Sequence, residues 1–163
     1  MRKAIIVSGS LSLRKKPSGK KAIVVSGSVC AGKTTFSKKL ARKIKAEYVS
    51  LNTIIVKNKL YDGYDRKRKS WIVDVNKLNR FLIKMIKESK RKLVLDGHLS
   101  HYLPKKYVEK CYILKCNLKT LEKRLRKRGY NRAKIRENLD VEIFDVCLID
   151  AKERGHKIEI IES

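Results

Sequence analysis

Acidic side chains are what this sequence is short of: 163 residues carry 16 Asp and Glu against 42 Lys and Arg, a formal net charge of +26. That imbalance excludes the matched lysine–glutamate ion-pair networks by which heat-adapted proteins use their lysines. Two readings of the excess remain, a surface neutralised by a polyanion such as RNA or a ribosomal face, and a basic face that is merely solvated. Long apolar runs are missing as well. No stretch approaches the roughly 20 residues that span a bilayer, and residues 4–7, an Ala-Ile-Ile-Val run behind Arg2 and Lys3, fall short of the roughly 7 to 15 residues of a signal-peptide core. A cytoplasmic location without a membrane partner is therefore expected. Paired cysteine spacing is absent too: Cys30, Cys111, Cys116 and Cys147 form no CxxC pair, and no histidine stands at zinc-finger distance. These cysteines read as reduced, mostly buried thiols, and a chain of this length folds as one domain without disulfides or a structural metal.

What is present begins with a repeat. Lys3-Ala4-Ile5-Ile6-Val7-Ser8-Gly9-Ser10 returns as Lys21-Ala22-Ile23-Val24-Val25-Ser26-Gly27-Ser28, but only the second copy continues into Gly-Lys-Thr. Residues 1–20 read as an N-terminal extension, whose apolar run would add an edge strand, and residues 21–163 as the domain. Within it, short β-branched runs alternate with helical periodicity, the pattern of βαβ units around a parallel sheet. Strands are expected at 22–26, 47–51, 93–96, 110–116 and 157–161, and helices at 33–45, 75–88, 119–128 and 134–153. The first helix is expected to bury Phe36, Leu40 and Ile44, the second Leu78, Leu82, Met85 and Ile86. The fold class is α/β: a P-loop NTPase, three-layer α/β/α, with five parallel strands.

Residues 27–34, Gly-Ser-Val-Cys-Ala-Gly-Lys-Thr, follow a strand and open a helix, the context that the phosphate-binding motif requires. Gly27 and Gly32 let the backbone curl round phosphate, the backbone NH of Cys30 and its neighbours supplies positive potential, and Lys33 bridges the outer phosphates. Thr34 is the expected magnesium ligand, and Thr35 reaches a phosphate oxygen. A second magnesium contact is expected from an acid ending a neighbouring strand, and Asp96 after Leu93-Val94-Leu95 fits. His98, two residues on, either faces the γ-phosphate or is structural; His101 and His156 read as structural. The basic run 123–132, with Arg124 and Arg128, either complements its own helix end or brings arginines over a transferring phosphoryl group. A guanine-reading Asn-Lys-x-Asp element is missing, since Asn76-Lys77-Leu78-Asn79 lacks the aspartate.

Taken in order, the P-loop, Leu60-Tyr61-Asp62-Gly63-Tyr64-Asp65, Asp96-Gly97-His98, Arg128-Gly129-Tyr130-Asn131 with Lys134, and Glu137-Asn138 through Glu142-Ile143-Phe144 resemble the adenylate kinase isoenzyme 6 family of archaea and eukaryotes, also described as ribosome-assembly ATPases. The likeness spans about residues 21–161. It implies a small nucleoside-monophosphate kinase fold with an AMP-side segment near 50–74 and a short lid near 127–137. It further implies ATP contacts from Gly27, Cys30, Gly32, Lys33, Thr34, Thr35 and Arg128, magnesium at Thr34 and Asp96, and roles in catalysis for Lys33, Asp96, His98 and Arg128. On the acceptor side it points to Asp62, Arg124 and Lys134. The activity it implies is transfer of the γ-phosphate of MgATP to AMP, with ATP hydrolysis and a small-subunit ribosomal protein as partner beside rRNA. The alternative is an ATPase assembly switch with little transfer to AMP. Two departures stand out. The family's arginine for the AMP phosphate is replaced by Val56, with Lys57 and Arg66 as the nearest substitutes, and the run 66–69 is basic where eukaryotic members tend to be acidic.

Overall fold

The computed structural model describes residues 19–163; the first repeat copy and the edge strand expected of it lie outside them. Seven strands and six helices follow in order: β1 (Ala22–Gly27), α1 (Lys33–Lys43), β2 (Glu47–Ser50), α2 (Leu51–Lys57), β3 (Tyr61–Asp65), β4 (Ser70–Val73), α3 (Val75–Glu88), β5 (Leu93–Asp96), β6 (Val108–Lys115), α4 (Leu118–Lys127), α5 (Arg132–Ile143), α6 (Val146–Glu153) and β7 (Ile158–Glu162). Two short 3-10 turns, Ser100–Tyr102 and Lys105–Tyr107, lie between β5 and β6. The main sheet has five parallel strands in the order β2-β5-β1-β6-β7.

Because alternate strand residues point to opposite faces, β1 feeds two cores. Ala22 and Val24 pack with Leu78, Leu82, Leu95 and Leu148. Ile23 and Val25 pack with Ala41, Val94, Leu114, Leu121 and Ile135. Helices thus cover both sides, the three-layer arrangement expected. None of the helices among the described residues is long and apolar enough to cross a membrane, and the four cysteines are free, three of them buried.

Three local expectations change. First, α1 buries Ser37 and Ala41 most deeply; Phe36 and Leu40 are only partly covered and Ile44 is exposed, so small side chains bring this helix close to the sheet. Second, the helix expected over 134–153 is two helices. Ile135 and Leu139 of α5 belong to one core, whereas Cys147, Leu148 and Ala151 of α6 belong to the other. The change of face begins within α5, where Val141 already packs against the other core, and the chain turns into α6 at Asp145, whose φ of 51° is left-handed. Third, the 47–51 strand ends at Ser50, whose hydroxyl caps the short helix α2, and residues 61–73 form an antiparallel hairpin.

Candidate nucleotide-binding site

Parallel strands with crossovers on both faces leave a crevice beyond their carboxyl ends, at the point where the strand order turns back. Here that point is the end of β1, flanked by β5 and β6, and the loop 27–34 fills it. Gly27 has a φ of 137°, and an added Cβ would collide with the carbonyl oxygen of Leu114 on β6. Cys30 at φ 66° and Gly32 at φ 87° complete the curl, and Gly32 is the N-cap of α1. No side chain caps that helix start, so its first NH groups and the positive end of its dipole face the loop's hollow.

Lys33 folds back over this loop, its Nζ donating to the carbonyls of Gly27 (3.0 Å) and Ser28 (2.6 Å). Burial pushes its pKa down, while Asp96 opposes the shift. Thr34 Oγ1 donates to Asp96 Oδ2 at 2.7 Å, and Tyr48 donates its hydroxyl to the same oxygen at 2.8 Å. Partial burial and the neighbouring Asp96 carboxylate raise the Tyr48 pKa, which keeps it a donor. Asp96 itself is buried at the end of β5. His98 lines the cleft and keeps solvent exposure; crowding by protein, then the Lys33 ammonium and His101, lower its pKa, so the ring is neutral at pH 7.

The other walls come from α4 and from the hairpin. Arg124 Nη1 donates to the Cys30 carbonyl at 3.2 Å, and Arg128 Nη1 lies 3.7 Å from Cys30 Sγ and stacks over Tyr130 at 5.8 Å. Lys134, at the start of α5, donates to the carbonyls of Arg68 (2.7 Å) and Lys69 (3.2 Å) in the hairpin turn. Together these groups enclose a cleft of about 1250 Å³, whose far half is walled by Asn52, Ile55, Val56, Trp71 and Val73.

The structure therefore brings Gly32, Lys33, Thr34, Thr35, Cys30, Asp96, His98, Arg124, Arg128 and Lys134 to one cleft, with Gly27 shaping its loop. It leaves Lys57, Asp62 and Arg66 outside the lining: Lys57 ends α2 on the surface, Arg66 is exposed in the hairpin turn, and Asp62 pairs with Lys77 at 2.7 Å. Sequence reasoning missed Tyr48, Trp71 and a buried relay behind the loop. In that relay Ser28 Oγ donates to Glu142 Oε2, the Cys116 NH donates to Glu142 Oε1 at 3.0 Å, and Lys115 stands 3.4 Å from the same oxygen while pairing with Asp145. The signal for Glu142 was its place between apolar Val141 and Ile143; nothing in the local pattern marks Ser28 or Tyr48.

Fold and loop define a nucleotide-binding protein of the P-loop kinase class. A family model described as AAA domain matches residues 23–145. The chain is 38% identical over 128 residues to a protein of Methanocaldococcus jannaschii named "Putative adenylate kinase", covering 78% of this chain and 70% of that one. It is 34% identical over 132 residues to the adenylate kinase isoenzyme 6 homolog FAP7 of Saccharomyces cerevisiae, covering 80% and 66%. It belongs to the adenylate kinase isoenzyme 6 family. Among solved structures, the YorR protein of Bacillus subtilis in complex with phosphorylated GDP aligns with a TM-score of 0.56 at 15% identity, over 87% of this chain and 85% of that one. Shikimate kinase from Bacteroides thetaiotaomicron aligns at 0.51 and 18%, over 87% and 86%; both likenesses concern the fold alone.

Proposed function

We propose that this chain transfers the γ-phosphate of ATP to AMP. The observation that carries the reading is convergence: Lys33, the Thr34–Asp96 pair, Arg124 and Arg128 stand round one cleft of about 1250 Å³. A single small-molecule pocket takes roughly 300–1,000 Å³, so the half beyond the P-loop has room for a second nucleotide. On binding, Lys33 exchanges its two loop carbonyls for the outer phosphates of ATP. Arg124 of α4 and Arg128, which caps that helix, neutralise charge as the AMP phosphate oxygen attacks phosphorus in line and the bond to the departing ADP oxygen breaks. A hydroxyl and a carboxylate are the hard oxygen donors that magnesium takes; Thr34 and Asp96 would hold it, and it would offset charge on the phosphates. Neutral His98 can accept a hydrogen bond from water, which suits it to the slow hydrolysis that competes with transfer. The acceptor's phosphate falls to Lys134 and Lys69, cations of the same cleft lining, since Val56 offers none.

On this reading residues 21–163 are the catalytic domain, 50–74 its AMP side and 127–137 its lid, with 1–20 an extension. The net charge of +26 suits work in the cytoplasm beside rRNA and a small-subunit ribosomal protein. A second reading, an ATPase assembly switch with little transfer to AMP, is favoured by the same Val56. A coupled assay of ADP formation decides between them: AMP is expected to raise turnover well above the ATP-only rate. If no nucleoside monophosphate does so, transfer falls and the switch stands.

A further inference from the structure

The far half of the cleft carries a feature that phosphate chemistry leaves unused. In the hairpin, Tyr64 faces Trp71 and Tyr61 faces Val73 across the strands, and a register shift between Tyr61 and Gly63 sets both pairs on one face. Trp71 and Val73 line the cleft, so that face looks into it. The Trp71 indole is packed by Tyr61 at 4.1 Å with a 30° tilt and braced edge-on by Tyr64 at 4.8 Å. It is thus held in place, yet 42% of its surface stays open. An immobilised, solvent-facing indole among Ile55, Val56 and Val73 has the chemistry of a base-stacking platform.

Resting on the transfer reading above, we propose that Trp71 stacks against the base of the acceptor nucleotide and sets a preference for purines over pyrimidines. Stacking needs the ring and not the phosphate, so it operates where the cleft wall is apolar. The phosphate meanwhile lies toward the lysines at the hairpin turn and the start of α5. A purine offers the larger π-face and gains more from the contact, and the same wall gives a pyrimidine less.

Trp71 is the one tryptophan of the 163 residues, so its fluorescence reports this contact directly. With the donor side filled by a non-hydrolysable ATP analogue, AMP and adenosine are expected to shift the emission saturably, CMP more weakly, and ribose 5-phosphate not at all. In steady-state assays Trp71→Ala and Trp71→Leu should raise KM for AMP by about fivefold to a hundredfold, with KM for ATP within twofold of wild type and Trp71→Phe in between. Circular dichroism checks that each variant is folded, and Trp71→Leu keeps apolar bulk should the alanine variant fail that check. A response to ribose 5-phosphate equal to that of AMP, or an unchanged KM for AMP in Trp71→Leu, overturns the proposal. If wild type transfers to no monophosphate but adenosine still shifts the emission, the transfer reading falls and the stacking site stands.

Discussion

Asp96 and Glu142 are two carboxylates in a chain with few of them, and each is buried and accepts two hydrogen bonds. Asp96 accepts from Thr34 and Tyr48 on one oxygen. Glu142 accepts from the Ser28 hydroxyl on one oxygen and the Cys116 NH on the other, which ties the P-loop to the end of β6. What Glu142 supplies there is a pair of acceptors first and a charge second, because Lys115 also has Asp145. Glutamine can preserve the Cys116 bond through its carbonyl and offer its amide to Ser28, whose hydroxyl can turn to accept. Leucine orphans both donors and leaves Lys115 with one carboxylate, Asp145, beside the main-chain carbonyl of residue 142. Glu142→Leu is therefore expected to cost about 3–5 kcal/mol, the range for breaking a buried ionic contact, and Glu142→Gln about 1.5 kcal/mol or less. Urea unfolding of the two variants measures this; equal losses would mean that charge, not hydrogen bonding, holds the loop.

Elements long enough to show a period were legible in the residues: β1, the loop and α1 from one motif, α3 from Leu78, Leu82 and Ile86, and the remaining sheet strands from short apolar runs. The hairpin was not. Its turn, 66–69, holds four cations and no Asn-Gly or Asp-Gly, and β3 and β4 have five and four residues, too few for alternation to register. The cleft's P-loop half was legible because a contiguous motif builds it; its far half joins α2, the hairpin and α5, which only tertiary packing brings together. The α5–α6 break was hidden for another reason. Asp145 takes a left-handed conformation that glycine would have announced, where the chain turns from α5 into α6. For a non-glycine residue that conformation costs roughly 1–2 kcal/mol, offset in part by the ion pair with Lys115. Asp145→Gly exchanges one for the other and should leave stability within about 1 kcal/mol. Asp145→Val keeps the strain, adds β-branching and loses the pair, and should cost about 2 kcal/mol or more. Matching unfolding midpoints for the two would show that the turn is indifferent to its backbone conformation.

Across the molecule two electrostatic terms act on folding, and they separate by pH and salt. One is the self-repulsion implied by +26, which added salt screens at exposed sites. The other is interior. His101 is 2% exposed, its Nδ1 lies 2.7 Å from Ser26 Oγ at the end of β1, and the His156 ring in turn contacts the His101 carbonyl at 2.7 Å. Burial lowers the His101 pKa to about 4, with Asp150 opposing, and lowers that of His156 in the same direction. The folded pKa lies below the unfolded value, so the unfolded chain binds the extra proton first as pH falls. Stability from this source is therefore complete above about pH 6.5 and is lost toward pH 4; at pH 5 the loss from His101 amounts to about 2 kcal/mol. Urea midpoints measured from pH 7 to 5 should fall at both low and high salt, because a buried imidazole is poorly screened. Salt should lift the whole curve without flattening it. In His101→Gln the fall should shrink. If high salt instead abolishes the fall, surface repulsion governs it and the buried histidine does not.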